Sequence, residues 1–247
     1  MSVKPFIIFS LARSGSTSLG ELTNTRRSNQ CVMEPFAPNN FSGQYLSLAL
    51  NEGLPSALAA IHSKYVGLKH VWHPAGWPFP VRGFNERLLF SSDHNLIFLY
   101  RKNILQRVVS GEIADQCKIW HARDPALVRD RETHKYQPLD KVKISRRLEK
   151  EGILLEHLIQ RLTSEHPSWM PIAFEEMFST DLAIDQSIRK VASVIAFLGL
   201  DEADPKDLRR IIENGRNGVS STVYSQIPEI DKIEKSFGSD TTGYLFS

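Results

Sequence analysis

The chain has 247 residues, 41% of them hydrophobic and 23% charged, and its net charge is +2. This composition is typical of a globular protein with one good core, and it excludes a wholly basic nucleic-acid-binding protein. No apolar run approaches the roughly eighteen residues that span a bilayer, and the apolar run after the first four residues is too short for a signal peptide. Cys31 and Cys117 have neither metal-site nor disulfide-framework spacing. We therefore predict a single domain over residues 1–247, cytoplasmic and with reduced thiols.

The first predicted element is a buried strand over residues 6–10, which runs into a turn rich in hydroxyl groups. A helix that begins near Thr17 would point its first backbone N–H groups, which have no partners inside the helix, back into this turn. Gly15 would let the backbone approach an anion closely, and Arg13 adds a charge that no physiological pH removes. The turn therefore predicts a site for a phosphate or a similar anion, formed by Arg13, Ser14, Gly15, Ser16, Thr17 and Ser18.

Glu34 follows the first predicted helix and precedes Pro35, which predicts an extended backbone for Glu34. A carboxylate near the anion turn is a candidate general base, and the alternative is an ordinary exposed carboxylate at a helix end. A second strand, over residues 65–71, contains Lys69, interpreted either as a cation near the reacting group or as a salt-bridged strand residue. His73 follows this strand and is a rival base, an acceptor-binding group or a structural histidine.

A third strand, over residues 96–100, ends in Arg101, and Ser110 comes nine residues later in a stretch that can be helical from Leu105. A nucleoside triphosphatase would have a Walker A lysine in its first turn and an aspartate after this strand to hold magnesium. This chain has neither, so no metal site is predicted. The two anion-binding segments suggest a ligand that carries phosphates at both ends of a nucleoside.

The second half of the chain predicts a fourth strand, over residues 171–175, and three capped helices. Asp140 would cap a helix that ends before His166, and Asp185 and Asp204 would cap the next two. The stretches 73–95 and 121–139 are predicted as irregular loops. Strands that alternate with helices indicate a P-loop-like, three-layer α/β fold, with a central and mostly parallel sheet flanked by helices.

The motifs themselves resemble those of sulfotransferases that use 3′-phosphoadenosine 5′-phosphosulfate (PAPS). The RSGSTS turn is similar to their 5′-phosphosulfate loop, and residues 96–110, LIFLYRKNILQRVVS, are similar to their 3′-phosphate motif. An arginine in the first loop and the nine-residue Arg-to-Ser spacing resemble the bacterial branch that includes trehalose 2-sulfotransferase and nodulation-factor sulfotransferases. Three further segments resemble that branch: residues 66–72 with its GxKxxW pattern, residues 110–120 ending in a tryptophan, and residues 173–177.

The resemblance implies a sulfuryl transfer from PAPS to a hydroxyl of a carbohydrate or another small-molecule or lipid-linked acceptor, with 3′,5′-adenosine bisphosphate (PAP) as product and no metal. It implies that Arg13 stabilises the leaving phosphate, that Arg101 and Ser110 bind the 3′-phosphate and that Glu34 is the base. Arg216 would belong to a basic loop over the 3′-phosphate. Lys69, His73 and Trp120 are the candidates for binding the acceptor. The branch also suggests a homodimer.

Two other functions remain open from the sequence. A small-molecule kinase with a degenerate phosphate loop would depend on ATP and magnesium, against which the missing lysine and the strand ending in Arg101 argue. A nucleotide-binding module without turnover would keep the anion sites alone, and Glu34 argues mildly against it.

Overall fold

The computed structural model describes residues 4–25, 30–73, 76–81, 83–120, 125–216 and 221–246. The chain divides into two compact units, the first formed by residues 1–100 with 157–216 and the second by residues 101–156 with 217–247. The single-domain interpretation of the sequence stays a prediction. The strands are β1 Phe6–Leu11, β2 Cys31–Met33, β3 Gly67–Trp72, β4 Asn95–Tyr100 and β5 Trp169–Ala173.

The helices of the described residues range from one turn to seven turns in length. They are α1 Ser16–Thr23, α2 Gln44–Glu52, α3 Leu54–His62, α4 Phe84–Leu89, α5 Ile104–Cys117, α6 Pro125–Thr133, α7 Lys141–Glu165, α8 Glu175–Phe178, α9 Ile184–Phe197, α10 Pro205–Arg216, α11 Ser221–Ser225 and α12 Ile230–Phe237. A 3₁₀ turn over Asn40–Gly43 precedes α2. None of the helices in the described ranges is both long enough and apolar enough to cross a membrane.

The five strands form one parallel sheet in the first unit, in the order β2-β3-β1-β4-β5. The predicted α/β fold, with a parallel sheet flanked by helices, is therefore confirmed. Strand β2 was not predicted, because three residues are too few to show a periodic pattern. In such a sheet the carboxyl ends of the strands lie at one edge, where ligands of α/β proteins generally bind.

The two faces of the sheet are covered by different side chains. Phe6 and Ile8 pack with residues of α1, α9 and α10 in one apolar cluster. Phe9 and His70 point to the other face, where the ring of His70 stacks on that of Phe79. Because side chains alternate along a strand, Lys69 shares the face of Ile8, its partner in register, and His70 does not.

The second unit has its own apolar core, in which α5, the first part of α7 and α12 pack together. Asp140 caps α7 as predicted, since its Oδ1 accepts hydrogen bonds from the backbone N–H groups of Val142 and Lys143 at 2.8 and 3.2 Å.

Two predictions about local structure were wrong. Asp185 lies in the first turn of α9, whose capping position is Ala183, because the helix begins two residues earlier than a cap at Asp185 would place it. The stretches predicted as irregular contain the helices α4 and α6, both too short for their apolar periodicity to stand out.

Candidate functional site

The anion loop, residues 12–18, joins the end of β1 to the first turn of α1 at the carboxyl edge of the sheet. Arg13 and Gly15 both have left-handed backbones, with φ values of 67° and 81°. A Cβ on Gly15 would lie 2.5 Å from the ring of Phe174, so only glycine allows this close approach. The loop thus turns sharply enough to aim the unpaired N–H groups of the first turn of α1 into one place.

The buried hydroxyl group of Ser14 indicates that the loop can bind an anion. Its side chain is 1% exposed, and its Oγ has no hydrogen-bond partner among the described residues. A buried hydroxyl without a partner costs about 1–3 kcal/mol, which a ligand that accepts its hydrogen would recover. The loop residues therefore fit a bound phosphate or sulfonate group.

Glu34 directly follows β2, and its backbone N–H donates to the carbonyl oxygen of Lys69 at 2.9 Å. Its φ is +47°, so the extended backbone predicted from the following proline is wrong. The carbonyl oxygen of Glu34 accepts hydrogen bonds from the Ala37 N–H and from the Asn40 side-chain amide, both at 3.0 Å. The hydrogen bonds of this tight turn outweigh the preference of a residue before proline for an extended backbone. The turn also keeps the Glu34 carboxylate next to β3.

Lys69 brings Glu34 together with the anion loop. Its side chain is 1% exposed, and its ammonium forms an ion pair with Glu34 Oε1 and donates to Thr17 Oγ1 at 3.2 Å. Desolvation by burial lowers the pKa of Lys69, and the neighbouring Glu34 partly opposes this shift. Thr17, Glu34 and Lys69, which are distant in the sequence, are therefore in contact beside the anion loop.

The two histidines of this region lie in different surroundings. His70 is buried on the opposite face, its Nε2 is 2.7 Å from Asn85 Oδ1, and burial lowers its pKa to about 4. His70 is thus a neutral structural residue. His73 is half-buried beyond the end of β3, where its backbone N–H donates to the carbonyl oxygen of Trp77 at 3.1 Å. Its role as a rival base or an acceptor contact stays a prediction.

The second unit contains the two residues predicted to bind a 3′-phosphate. The guanidinium of Arg101 donates to Gln106 Oε1 at 2.7 Å, and the Asn103 side chain caps α5 by accepting from the Gln106 N–H at 2.9 Å. Ser110 lies in the middle of α5 and is 2% exposed. Trp120, predicted to contact the acceptor, has a 38% exposed side chain.

Arg216 is the last residue of α10, in the first unit. Its Nη2 donates to the carbonyl oxygen of Leu182 at 2.8 Å and to Ser187 Oγ at 3.1 Å, while its buried Nε has no partner among the described residues. The neighbouring Gly215 approaches the anion loop, because a Cβ there would lie 3.3 Å from Ser18 Oγ. The role of Arg216 towards the 3′-phosphate stays a prediction.

Two features of the site were missed from the sequence. Phe174 was noted only as part of a strand, yet its ring packs on Gly15 and shapes the loop. The contact between Thr17 and Lys69 also went unnoticed, although the strand periodicity of residues 66–72 indicates which face Lys69 occupies.

No protein-family model and no curated protein matches this chain. Among solved structures, the chain is similar to a crystal structure of the mouse sulfotransferase SULT7A1 complexed with PAP. The two are 13% identical, the similarity covers 97% of this chain and 78% of the mouse chain, and the TM-score is 0.44.

Proposed function

We propose that the protein is a PAPS-dependent sulfotransferase that sulfates a hydroxyl of a carbohydrate or of another small-molecule or lipid-linked acceptor. The observation that carries this proposal is the anion loop with its buried, unpartnered Ser14 hydroxyl, joined through Lys69 to the Glu34 carboxylate. An anion site next to a carboxylate suits the transfer of an anionic group to a hydroxyl that must lose its proton.

The anion loop is assigned to the 5′ end of the donor. PAPS supplies an activated sulfuryl group, and its transfer leaves negative charge on a phosphate oxygen. Arg13 and Ser14 donate hydrogen bonds to that end of the donor, together with the first N–H groups of α1. Each charge-assisted hydrogen bond is worth roughly 1.5–3 kcal/mol, so loss of Arg13 is expected to cost roughly tenfold to a hundredfold in rate or affinity.

The 3′-phosphate of the donor is assigned to Arg101 and Ser110, with Arg216 as a further cation. Gln106 fixes one end of the Arg101 guanidinium, which reduces the side-chain entropy lost when an anion is bound. A guanidinium recognises phosphate with two parallel hydrogen bonds, so this contact favours a bisphosphate over a nucleotide with one phosphate.

Glu34 is assigned as the general base. Its carboxylate accepts the proton of the acceptor hydroxyl as the oxygen attacks sulfur, and a positioned base typically contributes about 10²–10⁴-fold to the rate. Lys69, His73 and Trp120 are proposed to contact the acceptor or the transferred group. The half-buried position of His73 and the exposed ring of Trp120 suit such contacts.

The proposal is tested by calorimetric titration of the wild-type protein with PAP, with 5′-AMP and with ATP–magnesium. Micromolar binding of PAP, weakened by loss of the 3′-phosphate, is the expected result. Arg101→Ala is expected to weaken PAP binding by roughly 1.5–3 kcal/mol and to leave 5′-AMP binding unchanged. Arg146→Ala, at an exposed position of α7, is the matched control and should bind PAP like the wild type. Magnesium-dependent binding of ATP without binding of PAP would contradict the proposal and favour a kinase.

A further inference from the structure

Lys69 is a buried cation within the sheet, and its surroundings explain how it reaches the anion loop. Gly20 of α1 lies against β2 and β3, because a Cβ there would be 2.6 Å from Met33 Sδ and 3.8 Å from the Cβ of Lys69. Thr17 lies three residues before Gly20 and hence on the same face of α1. The close approach of the helix at Gly20 therefore brings the Thr17 hydroxyl within hydrogen-bond distance of the Lys69 ammonium.

The direction of the hydrogen bonds around Lys69 follows from the groups themselves. An ammonium can only donate, so both Thr17 Oγ1 and Glu34 Oε1 accept from it. Because Thr17 Oγ1 already accepts from Lys69, its own hydrogen is left to be donated elsewhere. The structure thus contains a chain of hydrogen bonds that starts at the Glu34 carboxylate, passes through the ammonium and reaches a hydroxyl in the first turn of α1.

We propose that Lys69 is a positioning residue that couples occupation of the anion loop to the state of Glu34. An anion in the loop accepts the hydrogen of the Thr17 hydroxyl, which makes Thr17 Oγ1 a stronger hydrogen-bond acceptor. The Lys69 ammonium then bonds more strongly to Thr17 and moves away from Glu34. The Glu34 carboxylate is then free to accept the proton of the acceptor hydroxyl. Lys69 keeps its three hydrogens throughout, and the proton passes only from the acceptor oxygen to Glu34. This inference rests on the proposed function and adds to it that the donor must bind before the base can act.

Electrostatics around Lys69 agree with this coupling. Its desolvated ammonium has a lowered pKa, which the charge of Glu34 raises again. A dianion bound at the loop places two negative charges near Lys69, in surroundings where Coulomb interactions are strong. It therefore stabilises the ammonium by more than the ammonium loses as it moves away from the single charge of Glu34. Binding of the ligand is therefore expected to raise the pKa of Lys69.

The test follows the Lys69 side chain by NMR in protein labelled with ¹³C and ¹⁵N at lysine. The Lys69 signal is assigned by its absence from Lys69→Arg, and PAP is the probe. We expect the Lys69 Cε and Nζ signals to shift along the same saturation curve as the amide signals of the anion loop. The pKa of Lys69 should also rise with the ligand bound. Lys190, which pairs with Glu176 at 2.7 Å where both side chains are only partly buried, should not respond to the ligand.

Two variants of Thr17 distinguish a coupling from a merely structural contact. Thr17→Val keeps the shape of the side chain but removes the hydroxyl, and it should abolish or strongly reduce the response of Lys69 to bound PAP. Thr17→Ser keeps the hydroxyl and should restore the response. In Glu34→Gln the pKa of Lys69 should fall, because the charge that opposes desolvation is gone.

The outcomes separate this inference from the function on which it rests. If PAP shifts the loop amides but leaves the Lys69 signals unchanged, the coupling is overturned and the donor site stands. An equal Lys69 response in Thr17→Val and the wild type would also overturn it. If PAP shifts no signal of the protein at any concentration up to millimolar, the proposed function fails and the inference fails with it.

Discussion

At the scale of single residues, Glu34 and Lys69 show how an ion pair can be assembled from distant segments. The two residues lie far apart in the sequence. They meet because β2 pairs with β3 and places Met33, the residue before Glu34, opposite Lys69. The sequence indicated Glu34 as a base and Lys69 as a cation, but their contact could not be predicted, since it depends on the register of a strand too short to recognise. The left-handed backbone of Glu34 could not be predicted either. It is stabilised by the hydrogen bonds that Ala37 and Asn40 donate to the Glu34 carbonyl oxygen, and these depend on the folded turn.

His70 leads to a prediction about acid stability. Its pKa is about 4 in the folded protein, against an ordinary value of 6.5, because the buried ring is desolvated. Between these two values the unfolded chain binds a proton that the folded chain does not, so the folded state is destabilised as pH falls from 6.5 to 4. The contribution of this one residue amounts to about 3 kcal/mol over that interval.

The measurement is urea unfolding at several pH values between 4 and 7. His70→Gln is expected to lose less stability over this interval than the wild type, whereas His157→Gln, at an exposed position of α7, should lose the same amount as the wild type. His94, whose pKa is also lowered to about 4, titrates in the same window and contributes equally to all three proteins. Identical pH dependence in His70→Gln and the wild type would show that His70 is not the neutral buried group described here.

At the scale of secondary-structure elements, the connection between β1 and α1 depends on a glycine that has two separate roles. Gly15 has a left-handed backbone, and it also leaves space for the ring of Phe174. Gly83 also has a left-handed backbone, with φ 85°, but a Cβ there would meet nothing within 4 Å. Substitutions at Gly15 and Gly83 therefore separate the cost of backbone strain from the cost of steric overlap.

We expect Gly83→Ala to lower the free energy of unfolding by about 1–2 kcal/mol, which is the cost of a left-handed alanine. Gly15→Ala should lower it by at least a further 1 kcal/mol, since overpacking adds to the strain. Gly15→Ala should also weaken PAP binding, because the loop must move to make room for the methyl group. Unfolding in urea and calorimetry measure the two effects, and an equal loss of stability in both variants would contradict the packing described at Gly15.

The packing of α5 on α7 in the second unit depends on buried charges. Arg107 is 2% exposed and pairs with Glu151, which Arg147 also contacts at 2.8 Å. Arg147 lies directly over Gly111, where a Cβ would be 3.1 Å from its guanidinium. The sequence predicted α7 from its apolar periodicity and its cap, and it indicated only that the stretch from Leu105 can be helical. It contained no signal that these charges are internal, because that depends on which faces of the two helices meet.

Breaking the buried pair should be far more damaging than breaking an exposed one. Glu151→Gln leaves Arg107 buried without a counterion and is expected to cost about 3–5 kcal/mol in unfolding free energy. Glu165→Gln removes one of the two carboxylate partners of Arg161 on the surface of α7 and should cost far less, because water screens an exposed ion pair. Replacing both partners, Arg107→Met with Glu151→Leu, should cost much less than Glu151→Gln alone. A small effect of Glu151→Gln in urea unfolding would contradict a desolvated ion pair.

At the scale of the whole molecule, sequence periodicity predicted four of the five strands and the class of fold. It did so because long apolar strands and capped helices have local signatures, as at Phe6–Leu11 and after Asp140. The division into two units was not predicted, since it depends on contacts between segments that are distant in the chain. The candidate base and the anion loop belong to the first unit, whereas Arg101 and Ser110 belong to the second.

The proposed sulfuryl transfer with Glu34 as the base can be measured with PAPS that carries radioactive sulfur, offered together with a panel of disaccharides, glycolipids and phenols. We expect the wild type to transfer the label to at least one class of acceptor. We expect the same rate for Glu86→Gln, which alters an exposed carboxylate paired with Arg161, and a rate about 10²–10⁴-fold lower for Glu34→Gln. Tight binding of PAP without transfer of label to any acceptor, or full activity in Glu34→Gln, would contradict the proposal.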